Sequence, residues 1–316
     1  MAQKFEWGTT GDEVVKEFAD IIKGKTILIT GVASNTLGGE TAVALSKAQP
    51  KLLLLHARSE DKIAPIAKEV QDAGVPTKSV LMNLASLASV RKAAENLISE
   101  KDITIDVLIN CAGIMATPYG KTEDGFEQQF GVNHLSHFLF TNLLVKGDKI
   151  PSGGRIVNVS SAGHRRSPIR WDDINFSDGE TYEKYTSYGQ SKTANILYSL
   201  TLADRLRSKN ILCYSVHPGI IWTNLGRHLT TEELEGLIAA AKKTLKEQDA
   251  IPEMKSLNQG VGTQIVAGFS PLIVEQNGGY LADCQITPAN PHATSLDDAN
   301  RLWGISEEMV GEKFAF

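Results

Sequence analysis

The chain has 316 residues, of which 42% are hydrophobic and 22% are charged, and its formal net charge is −5 at pH 7. This is the composition of a globular protein, and folding at this length buries about three quarters of the surface exposed by the unfolded chain. The acidic balance argues against a nucleic-acid binder, which needs a basic face. No apolar run approaches the roughly 20 residues of a membrane-spanning helix, so no membrane anchor is expected.

The N-terminal segment 1–11 lacks the apolar core of a secretion signal, which predicts a protein that is not exported. Cys111, Cys213 and Cys284 are far apart in the chain. That spacing favours neither a disulfide framework nor a zinc site. We therefore expect the reducing cytoplasm as the location.

The predicted elements begin with an N-terminal helical extension, residues 1–23, in which Thr10 and Glu13 have capping-box spacing. Apolar runs then alternate with amphipathic stretches. This alternation predicts one α/β domain over residues 1–316, with a Rossmann-like, doubly wound parallel sheet and helices on both faces. The predicted strands are 26–30, 52–56, 79–82, 107–110, 155–160 and 211–217, and the predicted helices are 39–48, 62–73, 87–100, 126–145 and 187–207.

Residues 224–256 depart from this alternation, since the helix-forming stretch 232–246 has little apolar periodicity. The segment follows the C-terminal end of a strand, where open α/β sheets bind ligands. We interpret it as a helical substrate lid, with Trp222 and Leu225 contributing to an apolar wall. The alternative is a surface helix without a role.

A glycine-containing turn joins the first strand to the first helix. Such turns let backbone N–H groups approach a diphosphate at a helix N-terminus. An ordinary strand–helix turn is the alternative, because six residues separate Gly31 from Gly38. The candidate diphosphate contacts are Gly31, Ser34, Asn35, Thr36, Leu37 and Gly38.

The second strand ends without the carboxylate that usually binds a free ribose 2′-hydroxyl. Arg58 follows it, and Lys62 lies near the start of the next helix. A guanidinium suits a 2′-phosphate, which predicts a preference for NADP(H) over NAD(H). The alternative is that Arg58 is a solvated loop residue.

Tyr188 has a lysine four positions later, Lys192, and on a helix this spacing places both side chains on one face. An adjacent ammonium lowers the pKa of a phenol, so that the pair can act as a general acid or base. A surface Tyr–Lys pair is the alternative. Three polar motifs at predicted strand ends favour an enzyme: residues 110–113, 158–163 and 217–219, with Thr223 shortly after.

At these residues the chain resembles the short-chain dehydrogenase/reductase family, and within it the retinol-dehydrogenase-like branch. The segments that carry the resemblance are 107–115, 121–126, 130–138, 155–161, 188–197 and 280–284. The likeness covers roughly residues 24–310. The longer phosphate turn resembles a variant of fungal members, which suggests secondary metabolism.

The resemblance implies a catalytic tetrad. Tyr188 would donate the proton, Lys192 would bind the nicotinamide ribose and lower the tyrosine's pKa, and Ser161 would bind the substrate oxygen. Asn133 would hold a helix bend and a water that leads to Lys192. Further cofactor contacts are expected at Asn83, Leu84, Asn110, Ala112, Gly113, Pro218, Gly219, Ile221 and Thr223, in addition to Tyr188 and Lys192.

The predicted reaction is reversible hydride transfer between NADP(H) and the carbonyl or alcohol group of an apolar small molecule, with reduction favoured. Two rival functions are a catalytically silent NADP(H)-binding sensor or interaction module and a methyltransferase that binds S-adenosylmethionine. His134 and His137 have helical spacing but no evident third ligand, so no metal is expected. A homodimer through the helices at Phe126 and Ser187 is possible in this family.

Overall fold

The computed structural model describes residues 5–230, 232, 233, 236 and 254–316. Its strands are β1 (Thr26–Thr30), β2 (Leu52–Ala57), β3 (Thr77–Leu81), β4 (Val107–Asn110), β5 (Arg155–Val159), β6 (Leu212–His217), β7 (Tyr280–Ala282) and β8 (Gln285–Ile286). They form one sheet in the order β3-β2-β1-β4-β5-β6-β7-β8, in which β7 and β8 are antiparallel and the other pairs are parallel. Because the strand order reverses between β1 and β4, a ligand crevice is expected at the carboxyl ends of these strands.

Helices cover both faces of the sheet. They are α1 (Gly11–Glu17), α2 (Ala19–Ile22), α3 (Leu37–Ser46), α4 (Glu60–Asp72), α5 (Leu87–Ser99), α6 (Gln128–Phe130), α7 (Ser136–Lys146), α8 (Lys184–Arg205), α9 (Leu257–Phe269) and α10 (Leu296–Val310). Successive residues of β1 point to opposite faces, so that Ile27 and Ile29 enter one apolar core and Leu28 enters the other. The predicted doubly wound α/β fold is confirmed.

The predicted strand and helix boundaries agree with the structure to within about two residues for most elements, and those of β1 and β4 coincide with it. The capping box of Thr10 and Glu13 is present at the start of α1. Helix α1 packs closely against α9, because an added Cβ on Gly11 would lie only 2.5 Å from the side chain of Val261. The N-terminal helix therefore belongs to the packed fold.

Helix α9, helix α10 and the β7–β8 hairpin were not predicted. Every residue of α9 from Gly260 to Phe269 is buried. A helix that is buried on all sides has no polar face, and it therefore shows no amphipathic period.

Two further predictions concern the substrate lid and the homodimer. The predicted helix 232–246 lies almost entirely outside the described residues, and so does most of the proposed lid. Helix α10 packs against α8 within the chain, and residues 187–199 of α8 are all buried, so the homodimer stays a prediction. In the described parts of the chain, no helix is both long and apolar enough to cross a membrane.

Candidate active site

The turn after β1 is shaped by the hydroxyl of Thr36, which caps the first turn of α3. This oxygen lies 2.9 Å from the carbonyl oxygen of Gly31 and 2.8 Å from that of Ala33, and it accepts a hydrogen bond from the N–H of Gly39 (3.1 Å). The Thr36 hydroxyl therefore forms its hydrogen bonds within the turn itself. Its contribution to a diphosphate site is to hold the backbone in shape.

The unusual composition of this turn has a conformational explanation. Gly31 has a φ of +82°, and an added Cβ would lie 2.8 Å from the Cα of Ala112. At Gly38 an added Cβ would lie 2.6 Å from the carbonyl oxygen of Gly31. Asn35 has a φ of +55°, in the left-handed region that asparagine enters more readily than most residues. Asparagine can therefore occupy a backbone conformation that otherwise favours glycine.

Two cationic side chains follow β2, as predicted: Arg58 lies directly after the strand, and Lys62 lies in the first turn of α4. Arg58 is exposed, and the described residues offer its guanidinium no hydrogen bond, ion pair or ring contact. Lys62 is also exposed, and its Nζ lies 3.7 Å from a carboxylate oxygen of Asp61. Both groups remain accessible to an anionic ligand.

The segment after β3 is held by the side chain of Asn83. Its Nδ2 donates to Glu123 Oε1 (3.0 Å), and its Oδ1 accepts from the N–H of Ala85 (3.1 Å). Leu84 is buried in the core. A contact of this pair with adenine stays a prediction.

The floor of the crevice follows β4. The hydroxyl oxygen of Thr30 accepts from the backbone N–H groups of Cys111 (2.9 Å) and Ala112 (3.0 Å), and it lies 3.0 Å from His137 Nε2. Thr30 therefore ties the segment after β4 to the turn after β1. It places Ala112 directly against Gly31.

Asn110, at the end of β4, directs its amide into the interior. Its Nδ2 donates to Thr141 (2.9 Å) and to Asn158 (2.8 Å). The side chain thus links two strands and α7, and its predicted cofactor contact stays untested.

Asn133 lies in a π-helical turn, Gly131–Leu135, which supplies the bend that the resemblance implied. Its Oδ1 accepts from the N–H of Ile114 (2.8 Å), and its Nδ2 donates to the Ile114 carbonyl (3.0 Å) and to Ser191 (2.9 Å). Both ends of the amide are therefore bonded to protein. Asn133 fixes the segment after β4 against α8.

Tyr188, Lys192 and Ser161 meet beside this segment. An added Cβ on Gly163 would lie 2.9 Å from Tyr188 Cε1 and 3.3 Å from Ser161 Oγ, so the serine hydroxyl and the tyrosine ring lie side by side. The Nζ of Lys192 lies 5.5 Å from the Tyr188 ring centroid and donates to the carbonyl of Val159 (3.1 Å). The pair that the sequence singled out is thus buried in the crevice.

Gly113, in the segment after β4, lies next to both Asn133 and Lys192. A Cβ there would lie 3.0 Å from Asn133 Oδ1 and 3.6 Å from Lys192 Nζ. A side chain at this position would crowd the Asn133 amide and approach Lys192, and glycine avoids both contacts. The four residues of the predicted tetrad surround one crevice.

The expected direction of the tyrosine's pKa shift is wrong for this structure. Burial raises the pKa of Tyr188 to about 12, and a hydrogen bond with Ser161 only partly opposes it. Burial lowers the pKa of Lys192 to about 8. Sequence spacing indicates that an ammonium is near a phenol, but the cost of removing both from water depends on burial.

The loop after β6 carries the remaining predicted contacts. Pro218 is buried, and Gly219 has a φ of +102°. An added Cβ on Gly219 would lie 2.7 Å from the side chain of Lys255. Thr223 accepts from the N–H of Leu225 (3.3 Å) and caps the 3-10 turn Asn224–His228.

Lys255 is a residue that the sequence analysis missed. Its side chain is only 1% exposed, and its Nζ lies 2.7 Å from Asp283 Oδ1 in the hairpin turn between β7 and β8. Its backbone N–H donates to the carbonyl of Ile220 (2.9 Å). Ser256 and Gln259 form a capping box at the start of α9. Their spacing in the sequence indicates a helix start, and it marks Lys255 as the last loop residue before a helix that packs on the fold.

Ile221 connects this loop with the phosphate turn. An added Cβ on Gly260 would lie 2.3 Å from Ile221 and 3.1 Å from Leu37, so both side chains pack on α9. Trp222, expected in an apolar wall, is 55% exposed.

The two helix histidines are explained by packing. His134 Nε2 lies 2.8 Å from Ser306 Oγ, and His137 Nδ1 lies 3.2 Å from the Asn133 carbonyl. Burial lowers the pKa of each to about 3. No group of three or more metal-ligating side chains is found in the part of the chain that the structure describes.

Comparison with known proteins agrees with this geometry. A family model described as short chain dehydrogenase matches residues 25–172. Human retinol dehydrogenase 14 is 39% identical over 305 residues, which cover 92% of this chain and 88% of that protein. Human retinol dehydrogenase 12 is 32% identical, with 92% and 87% covered. A solved structure from Mycobacterium paratuberculosis has a TM-score of 0.74 at 27% identity, covering 98% of this chain and all of that one.

Proposed function

Because the chain belongs to the short-chain dehydrogenase/reductase family, in its retinol-dehydrogenase-like branch, we propose that it is an NADP(H)-dependent oxidoreductase. The reaction is reversible hydride transfer between nicotinamide and the carbonyl or alcohol group of an apolar small molecule. The observation that carries this proposal is the meeting of Tyr188, Ser161 and Lys192 beside Gly113.

Features of the crevice support a phosphorylated dinucleotide. Glycine at positions 31 and 38 lets the turn after β1 pack tightly, and the turn leads into the N-terminus of α3, a position that favours a diphosphate. Arg58 has no protein partner among the described residues, and its donor fork matches a ribose 2′-phosphate. Glycine at position 113 keeps side-chain atoms away from Lys192 Nζ, which we propose contacts the nicotinamide ribose. When bound, NADPH supplies the hydride.

The protein's own groups supply the proton and the orientation. The Tyr188 hydroxyl donates its proton to the substrate oxygen as negative charge develops there. Ser161, beside the tyrosine ring, donates a hydrogen bond to the same oxygen. The Lys192 ammonium, held by the Val159 carbonyl, stabilises the phenolate that remains.

The raised pKa of Tyr188 favours reduction. A phenol with a pKa of about 12 is protonated throughout the physiological range, so it is ready to act as an acid. Oxidation of an alcohol needs the phenolate, which is scarce at neutral pH. The protonated phenol is the form that carbonyl reduction requires, and we propose reduction as the direction of the reaction.

An apolar substrate is supported by exposed side chains in the loop after β6 and the segment paired with it. Ile220, Trp222 and Met254 are 37%, 55% and 40% exposed, and a β-bridge between Ile221 and Lys255 brings their two segments together. Exposed apolar patches are typical of ligand-binding surfaces. The relatives named above are retinol dehydrogenases, and retinol is an apolar alcohol.

The test is NADPH oxidation with a panel of bulky aldehydes and ketones, with Tyr188→Phe as the variant. We expect turnover to fall by about a hundredfold to ten-thousandfold, the usual contribution of a general acid, while NADPH affinity is nearly unchanged. Tyr185→Phe is the matched control, because its hydroxyl lies on the same helix and has no hydrogen-bond partner among the described residues.

Three results would contradict the proposal. Full turnover in Tyr188→Phe would remove the tyrosine from the chemistry. NADPH binding by the unaltered protein without reduction of any carbonyl would favour the silent sensor. A thermal shift with S-adenosylmethionine but not with NADPH would favour a methyltransferase.

A further inference from the structure

The turn after β1 and the loop after β6 are joined by hydrogen bonds between residues about 190 positions apart. Asn224 Nδ2 donates to the carbonyl of Ser34 (2.9 Å), and Asn35 Nδ2 donates to Asn224 Oδ1 (3.3 Å). The backbone N–H of Asn224 donates to the Asn35 carbonyl (3.3 Å). We call these three bonds the Asn35–Asn224 bridge.

The bridge spans the crevice. In the sheet, β4 and β5 lie between β1 and β6, so the strand ends from which the two loops leave are about 14 Å apart at the usual strand spacing. Gly113 and Ser161 follow the two intervening strands. The loops therefore meet across the carboxyl ends that carry the predicted nicotinamide and substrate positions.

The bridge also explains why asparagine occupies position 35. Glycine would adopt the φ of +55° at least as easily, but it has no amide to reach Asn224. All the bonds of the bridge join protein groups, and both asparagines are exposed. The bridge can therefore open without disturbing the core.

We propose that the Asn35–Asn224 bridge controls exchange of the dinucleotide, and this rests on the function proposed above. A ligand that reaches from the phosphate turn to Lys192 has to pass the bridge on entry and on exit. Because the bonds that open are the same in both directions, they slow association and dissociation by the same factor. Affinity is then left nearly unchanged.

The experiment measures NADPH association and dissociation rates by stopped-flow fluorescence in Asn35→Gly, Asn224→Ala and the double variant. Glycine keeps the left-handed backbone at position 35 and removes only the amide. We expect both rates to rise about threefold to tenfold, the worth of one or two ordinary hydrogen bonds, with Kd within twofold of wild type. The double variant should match Asn224→Ala, because that substitution already removes both side-chain bonds of the bridge, whereas Asn35→Gly removes only one.

Asn210→Gly is the matched control. Asn210 has a φ of +54°, and its amide contacts Ser152 at 3.4 Å, away from the crevice. Its rates should equal those of wild type. The thermal midpoint of each variant is measured in parallel, so that opening of the bridge is distinguished from loss of the fold.

Each other outcome overturns the proposal in a recognisable way. Unchanged rates in both single variants refute control by the bridge. A faster dissociation with unchanged association, and hence a weaker Kd, indicates that the asparagines bind the cofactor directly. If NADPH does not bind the unaltered protein, the proposed function fails together with the bridge.

Discussion

The two sides of the crevice are built differently; we call them the catalytic side and the cofactor side after the roles proposed above. On the catalytic side, Asn133 and Lys192 are buried, and their polar atoms bond to protein. On the cofactor side, Asn35 and Arg58 are exposed, and Arg58 has no partner in the described parts of the chain. Buried polar groups are costly to leave unpaired, whereas exposed ones exchange partners with water. Substitutions should therefore affect stability and turnover together on the first side, and only the affinity or the exchange rate of the cofactor on the second.

The largest effect is expected for Asn133→Ala on the catalytic side. It removes three hydrogen bonds to Ile114 and Ser191 and leaves buried partners unpaired, at a cost of about 2–4 kcal/mol of unfolding free energy. Turnover should fall more than tenfold, because the segment after β4 is no longer fixed beside Lys192. Urea unfolding and NADPH oxidation below the melting temperature measure the two effects.

Asn142→Ala is the control for that substitution. Asn142 is equally buried on α7, but among the described residues its Oδ1 accepts a hydrogen bond from the Tyr198 hydroxyl (3.2 Å) and its Nδ2 is unpartnered. It should lose less stability and keep its turnover. Equal turnover in the two folded variants would show that Asn133 acts only as a packing residue.

A smaller and more selective effect is expected for Arg58→Ala on the cofactor side. Loss of charge-assisted hydrogen bonds to a 2′-phosphate should weaken NADPH binding about tenfold to a hundredfold. Affinity for NADH and the thermal midpoint should be unchanged, because the guanidinium is exposed. Titration of both cofactors by fluorescence separates the two, and a parallel loss of NADH affinity would rule out recognition of the 2′-phosphate.

The sequence predicted the catalytic side better than the cofactor side for a physical reason. The strands that carry it are short apolar runs, and Tyr188 and Lys192 have helical spacing, so local patterns are enough to place them. The Asn35–Asn224 bridge depends on two loops meeting across the sheet, which no local pattern encodes. The same applies to Lys255, whose partner Asp283 lies in a hairpin between two very short strands.

The direction of the Tyr188 pKa shift also could not be predicted from the local sequence. Spacing predicted a neighbouring ammonium, and the structure has one 5.5 Å from the ring centroid. Burial of the whole pair, however, depends on α8 lying beneath the loops after β4 and β5. Removal from water raises the pKa of a phenol and lowers that of an ammonium, and it dominates for both residues.

The smallest expected effect is a pH dependence that belongs to the catalytic side. Below its pKa of about 8, Lys192 is charged and stabilises the developing phenolate; above that value it loses its proton. Tyr188, with a pKa of about 12, stays protonated over the same range. The kcat for reduction should therefore be flat near neutrality and decline as the pH rises through about 8. Lys192→Arg keeps a charge at every accessible pH, so its profile should lose the alkaline decline even if its maximal rate is lower. A decline that persists in Lys192→Arg would assign the titration to another group.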